Sequence, residues 1–465
     1  MDNAKELKKQ LFMEVKNSGE VLSEGEMKKA FDYCEGYKEF LGLCKTERAA
    51  AMYAIGMLEK HGYKPYDKNR QLVPGDKIYV NNRGKALIAA VIGTAPPSEG
   101  MNITAAHIDS PRLDLKPRPL YEDNQIALFK THYYGGIKKY QWTAIPLSLQ
   151  GGIVRKDGTQ IDVNIGESVD DPVFTVTDLL PHLADEQNKR ELKNGIKGEE
   201  LNILTGSLPY PDKKEGEKVK LNVMNLLHEK YGITEHDFTT AELEAVPAIK
   251  VSDVGIDRSM VGGYGQDDRV CSYAALTALC QTNRPIKTCV MVLADKEEIG
   301  SDGNTGLRSD FMRSFLADIA ESFGVNPSDA IAASKCLSAD VNAAFDPTFS
   351  DVFEKNNTAY LGRGVVVTKY TGSRGKSGSS DASAEYAAYV RKIFDDNDIL
   401  WQTGELGKVD MGGGGTVAAY IANLGMDVID VGVPVLSMHS PFEVTSKPDI
   451  YMTHLALAAF YCVFT

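Results

Sequence analysis

Residues 288–301 read TCVMVLADKEEIGS. The run from Thr288 to Leu293 is β-branched and apolar without alternation, the pattern of a buried strand. Where it ends, Glu297 and Glu298 stand side by side behind Asp295 and Lys296. Neighbouring carboxylates repel in a dry pocket unless a cation, a proton or water compensates them. A solvated turn would carry the same letters, so the distinction rests on what else gathers at the same end of the sheet.

Around this stretch, from residue 249 on, strand and helix alternate. AIKVSDVGI leads to GYGQDDRVCSYAALTALCQT, a loop feeding an amphipathic helix. After DKEEIGS come a helix near 308–324, the strand-like KCLSADVN and RGVVVTKYTG, and a helix over about 381–395 with its cap at 379–381. The strand DVIDVGVPVLS and a last helix over 446–463 complete the series. Such alternation predicts an α/β fold, a mostly parallel mixed sheet with helices on both faces. Ligands bind such sheets at the carboxyl ends of the strands.

Upstream, apolar positions three and four apart predict helices over 4–17, 25–43 and 46–61, the third capped by Thr46 and stopped at Gly62. KIYVNN and KALIAAVIGT pair as a hairpin around Asn81–Gly84, and NITAAHIDSPRLDLKPRP brings His107 and Asp109 to the end of another strand. From about residue 114 short β-like runs are broken by proline, aromatic and charged residues. This texture predicts an inserted β-rich domain over 114–248 and a discontinuous α/β domain made of 1–113 and 249–465. Within the insert, the Gly-, Pro- and charge-rich residues 193–218 read as a long exposed loop, with one helix before it and another, VMNLLHEKYG, after it.

At 465 residues the chain exceeds one hydrophobic core and predicts two or three domains. A formal charge of -13 argues against nucleic acid or an anionic membrane as the main partner. No run reaches the length of a membrane span, and the N-terminus lacks the apolar core of a signal peptide. The seven cysteines are scattered without a C-x-x-C pair, which fits reduced thiols and a cytoplasmic location.

His107, Asp267, Glu297, Glu298, Asp340 and His439 each follow a β-like run or open a helix after one, so all can converge on one sheet edge. Two imidazoles and several carboxylates suit zinc, manganese or cobalt. Singly each has a plainer reading: His107 and Asp109 as a local hydrogen bond, Asp267–Asp268 as a helix cap, Asp340 as another cap, His439 as a turn residue.

In order along the chain, AAHIDSPRLDLKPRP, QDDRVCSYAALTAL, DKEEIGS, SADVN and MHSPFE resemble the five signature blocks of the M18 metallo-aminopeptidases, the family of aspartyl aminopeptidase and vacuolar aminopeptidase I. The resemblance runs nearly end to end, the inserted region included. It implies a zinc-exopeptidase-like fold with a dimerisation insert, and removal of an acidic or neutral to hydrophobic N-terminal residue from short peptides.

It also implies two divalent ions, zinc with manganese or cobalt as alternatives, held by His107, Asp267, Glu298, Asp340 and His439. By that analogy Asp267 bridges, His107 and Asp340 complete one ion, and Glu298 and His439 the other. Many relatives have Asp-Asn where this chain has Asp267–Asp268, so Asp268 stays open as the bridge. Glu297 is the implied general base, and Asp109 the residue that orients the His107 ring. Two cations would lower the pKa of a shared water and polarise the scissile carbonyl.

The resemblance further implies a homo-oligomer, a tetrahedral dodecamer of dimers, in which His182 of LLPHLAD (179–185) reaches a neighbouring subunit's site to bind substrate. The same ligand logic also fits an N-acyl amino acid deacylase or carboxypeptidase, and the scaffold fits an inactive oligomeric binding protein. No G-x-S-x-G elbow or cysteine nucleophile motif competes with the metal reading. Two loops remain: DMGGGGTVAAY (410–420), suited to close backbone approach or a tight turn, and TGSRGKSGSSDASAEY (371–386), expected near the site.

Overall fold

A central sheet of nine strands organises the computed structural model, which describes residues 2–212 and 216–462. In chain order the strands are β1 (Lys64–Pro65), β2 (Lys77–Asn82), β3 (Ala86–Val91), β4 (Asn102–His107), β5 (Cys289–Ala294), β6 (Lys335–Ala339), β7 (Val365–Thr368), β8 (Trp401–Thr403) and β9 (Asp427–Gly432). Across the sheet they lie in the order β1-β2-β3-β5-β4-β6-β9-β7-β8. The central strands β5, β4, β6 and β9 are parallel, and antiparallel pairs flank them at β3–β5 and β9–β7. This is the expected mostly parallel mixed sheet.

Every residue of β5 is buried because both faces of the sheet are covered. Successive side chains point to opposite faces. Met291 and Leu293 join Leu87, Leu337 and Ile429 beneath the helices Glu24–Leu43, Glu47–Lys60, Gln266–Gln281 and Lys447–Tyr461. Val290 and Val292 join Ile88, Cys336 and Val428 against Phe315, Leu316 and Ile319 of the helix Phe311–Ser322.

Local signals set most of the helix ends. Ser23 and Glu26 form a capping box at the start of Glu24–Leu43, and Thr46 accepts the Ala49 N–H at the start of Glu47–Lys60. The first expected helix, 4–17, is instead Asp2–Leu11 followed by a single turn, Ser18–Val21. Residues 12–17 are not helical, and Asn17 caps the second turn, its side chain taking the Gly19 N–H, a local bond that competes with a continuous helix through this position. The helix expected from about 381 starts at Ala384 on a Ser383 cap. Ser379 is engaged elsewhere, its Oγ accepting the N–H groups of Thr371 and Asp381.

Residues between Arg112 and Pro247 build a second, seven-stranded sheet with its own core around Phe129, Trp142, Leu149 and Phe238. The stretch 193–218 is not all loop. Ile203–Gly206 is a strand between Ile126–Tyr134 and Thr175–Val176, drawn in by the buried side chain of Ile203. Part of that stretch, 213–215, lies outside the described residues. The α-helix before the stretch is a single turn, Asp185–Asn188, and the helix after it is Lys218–Tyr231.

A third sheet of five strands includes Asn342–Ala343, Met260–Gly263, Pro434–Leu436 and Glu443–Ser446. The run DVIDVGVPVLS therefore serves two sheets, β9 ending at Gly432 and Pro434–Leu436 pairing beside Asn342–Ala343. No helix of the described residues is long and apolar enough to cross a membrane.

Candidate active site

β4, β5 and β6 end side by side, with Ala294 opposite His107 and Ser338 opposite Ala105. That register puts His107 at the last position of β4, Asp340 directly after β6, and Glu297 and Glu298 in the turn after β5. Asp267 arrives from another direction, at the start of the buried helix Gln266–Gln281, and His439 from the loop between Pro434–Leu436 and Glu443–Ser446. All six line one cavity of about 300 Å³.

His107 Nε2 lies 3.1 Å from Asp267 Oδ1 and 3.9 Å from Asp340 Oδ1. His439 Nε2 lies 3.1 Å from Asp267 Oδ2 and 3.5 Å from Glu298 Oε1. One carboxylate thus faces both imidazoles, one oxygen to each. The outer nitrogens are engaged with backbone: His439 Nδ1 is 2.8 Å from the Gly136 carbonyl oxygen, and His107 Nδ1 is 3.1 Å from that of Asp109. With Nδ1–H donated to these carbonyls, a neutral ring presents Nε2 inward as an acceptor, the arrangement in which imidazole ligates a metal.

Asp268, the alternative to Asp267, is fully buried and accepts the His107 N–H at 3.3 Å. Donor atoms of His107, Asp267 and Glu298 lie within 4.8 Å of one another, and so do those of His107, Asp268 and Asp340. Asp267 Oδ1, Asp268 Oδ1 and Glu298 Oε1 are buried without a hydrogen-bond partner. An unpaired buried carboxylate oxygen is costly, and a cation removes that cost. The donor set and its spacing therefore fit divalent ions.

Electrostatics point the same way. Burial pushes Glu297 up to about 7. Burial, with the neighbouring charges of Asp267 and Asp268 respectively, lifts Glu298 and Asp340 well above the usual carboxylate range. Burial opposes charge on His439, yet its bond to Asp267 and the Glu298 charge outweigh this and raise it to about 10.

Asp109 is buried among these groups and grips the DKEEIGS turn. Its Oδ1 accepts the Glu297 N–H at 3.1 Å and lies 3.3 Å from His107 Nδ1. Its Oδ2 accepts the Glu298 N–H at 3.2 Å and the Tyr134 hydroxyl at 2.8 Å. His182 is exposed, in the turn Pro181–Leu183, and is not among the residues lining this chain's cavity. The two glycine-rich loops meet over the cavity, where Gly372–Ser373 pairs with Gly413–Gly414.

Two contributors escape a reading of motifs, Tyr134 and Gly136, and a third, Glu443, stands in the MHSPFE block without a role assigned to it. Tyr134 ends a strand of the second sheet and Gly136 follows it, in the run YYGG, where only the aromatic-to-glycine break hints at a close approach. Glu443 lies four residues after His439 and accepts the His439 N–H at 2.7 Å.

A parallel-centred α/β sheet carrying a histidine–carboxylate cluster at its strand ends defines a metallohydrolase of the exopeptidase type. The model of the family described as Aminopeptidase I zinc metalloprotease (M18) matches residues 40–461, and the chain belongs to that family. It is a metallo-exopeptidase, an M18 aminopeptidase. A probable M18 family aminopeptidase 1 of Clostridium acetobutylicum is 51% identical over 97% of this chain and 98% of its own length. The crystal structure of an M18 aminopeptidase from Thermotoga maritima superposes with a TM-score of 0.93 at 44% identity, covering 97% of this chain and 99% of that one. The crystal structure of aminopeptidase I from Clostridium acetobutylicum gives 0.92 at 48% identity, over 97% and 100%.

Proposed function

We propose that this aminopeptidase releases the N-terminal residue of short peptides with the help of two divalent ions, zinc first among them, with manganese or cobalt as alternatives. The observation that carries the reading is Asp267, whose two oxygens face the two inward Nε2 atoms, His107 on one side and His439 on the other. On this reading Asp267 would serve both ions, with His107 and Asp340 holding one and Glu298 and His439 the other. Ions bound there would supply Lewis acidity, lowering the pKa of a water and polarising the scissile carbonyl.

Glu297 does the proton work. It lines the cavity without pairing to either histidine, and burial pushes it up to about 7, suited to general-base service near neutral pH. Glu297 takes the proton from the attacking water and returns it to the leaving amine. Asp109 fixes the ring of His107 and holds Glu297 and Glu298 by their backbone, so the base and a ligand share one anchor. The second sheet is read as an inserted dimerisation domain over 114–248, with the α/β domain made of 1–113 and 249–465 around it. Its exposed His182 would then serve a neighbouring subunit's site in a homo-oligomer, a tetrahedral dodecamer, and the location is cytoplasmic.

The test is a panel of aminoacyl chromogenic substrates, free and N-acetylated, with and without chelator, on wild type and Glu297→Gln. Turnover of the free-amine substrates alone, lost with chelator and in the variant, is expected. Chelator-insensitive activity, or a variant as fast as wild type, would sink the mechanism, and turnover of N-acyl substrates would move the assignment to a deacylase.

A further inference from the structure

Two buried carboxylates outside the proposed ligand set use the same device on opposite sides of the site. Asp109 takes the backbone N–H groups of Glu297 and Glu298. Glu443, 1% exposed, takes those of His439, at 2.7 Å on Oε1, and Asp267, at 3.2 Å on Oε2. Its own carbonyl oxygen accepts Gln266 Nε2 at 2.6 Å. Gln266 is tied in turn to Tyr37, whose hydroxyl donates to its Oε1 at 3.1 Å.

The need for such a clamp follows from where the two residues come from. Asp267 opens a helix, whereas His439 sits in a loop with left-handed backbone, φ 65. A non-glycine residue holds that conformation only when its surroundings enforce it. Nothing in sequence spacing sets the gap between Asp267 and His439. Glu443 ties the two together, one oxygen to each backbone.

We propose that Glu443 is a positioning residue for metal loading whose effect is uneven, greater on the ion held by Glu298 and His439 than on the one held by His107 and Asp340. The first takes two residues that Glu443 anchors, His439 and the shared Asp267, whereas the second takes only Asp267, its His107 being held by Asp109. This inference rests on the two-ion reading above. Glutamine at 443 has one oxygen left and turns an amide N–H toward a backbone donor, so one of the two anchors is lost.

The experiment is a titration of metal-stripped full-length protein with Zn²⁺ by equilibrium dialysis, and with Co²⁺ followed by its visible spectrum, for wild type, Glu443→Gln and Glu443→Asp. Wild type is expected to bind two ions. In Glu443→Gln one ion binds roughly 10- to 100-fold more weakly, the usual effect of removing a group that orients a ligand, while the other loses clearly less. Excess metal then restores most of kcat. Glu443→Asp keeps the carboxyl group but is one methylene too short to span both amides, and falls on the same side, so a folding failure of the glutamine variant does not leave the question open. Two wild-type ions with both affinities unchanged in the variants, or both weakened equally, overturn the role of Glu443 alone. A wild type binding fewer than two ions overturns the two-ion reading and this proposal with it.

Discussion

Asp109→Asn removes no proposed metal ligand and changes side-chain volume little, yet the structure predicts a severe defect. The Asp109 carboxylate meets three donors: the backbone N–H groups of Glu297 and Glu298 and the Tyr134 hydroxyl. Its Oδ1 takes Glu297, and its Oδ2 takes Glu298 and Tyr134. An asparagine offers one oxygen and one NH₂ group, so whichever way the amide turns, one of the two backbone N–H groups loses its acceptor and faces another N–H. Hydrogen bonds to a charged group contribute about 1.5–3 kcal/mol each, which puts the loss at about 1.5–3 kcal/mol.

Unfolding entropy of about 2.1 cal/mol/K per residue gives, over 465 residues, about 1 kcal/mol/K, so the melting temperature should fall by about 1.5–3 °C. Turnover should fall further, because the released N–H belongs to the proposed base or to a proposed ligand. A displacement of about 1 Å in such a group costs on the order of 100-fold. Calorimetry of metal-loaded protein, paired with kcat on a chromogenic substrate, measures both. A variant with the wild-type melting temperature and turnover would refute the claim that these contacts hold the turn.

Glu298→Gln should lose part of its bound metal, whereas Glu297→Gln should keep its metal and lose turnover by about 10²- to 10⁴-fold, the usual weight of a general base; metal analysis of the two side by side separates the roles. In Gly432→Ala the new Cβ runs into the carbonyl oxygen of Asp340, so overpacking of about 1–3 kcal/mol should appear as a lower melting temperature together with reduced metal content. His454, buried beside Tyr33 and Thr277, is pulled down to about 4 by burial, against 6.5 for a free ring. Below pH 6.5 the unfolded chain takes up a proton that the folded chain refuses until about 4, so stability is complete above that range and falls as pH drops through it. The loss by pH 5 is about 2 kcal/mol, from 1.36 kcal/mol per unit over 1.5 units. Denaturation at pH 7 and pH 5 should show His454→Gln with a flatter dependence than wild type, and equal slopes would exclude this account.

The fold class was legible because it depends on local chemistry. The unbroken apolar run from Thr288 to Leu293 demands cover on both faces, and helix-period segments follow it at the right intervals. Thr46 and the Asn81–Gly84 turn marked their boundaries through hydrogen bonds made within a few residues. Boundaries failed where a side chain chose a local partner, as Asn17 did, or where a distant strand recruited one, as at Ile203.

The sequence by itself determined which residue types are available to hold a cation and that they lie at strand ends, since composition and period-two patterning are properties of single segments. Only the tertiary structure decided that Asp267 turns one oxygen to each histidine, and that Tyr134, Gly136 and Glu443 brace the site. Those contacts join segments more than a hundred residues apart, such as His439 and Gly136, or Asp267 and Glu443. Hydrophobic periodicity says which face of a strand is buried but carries no information about its neighbour. The physical reason is that closure of the sheets, not local propensity, sets the distances on which ligand geometry depends.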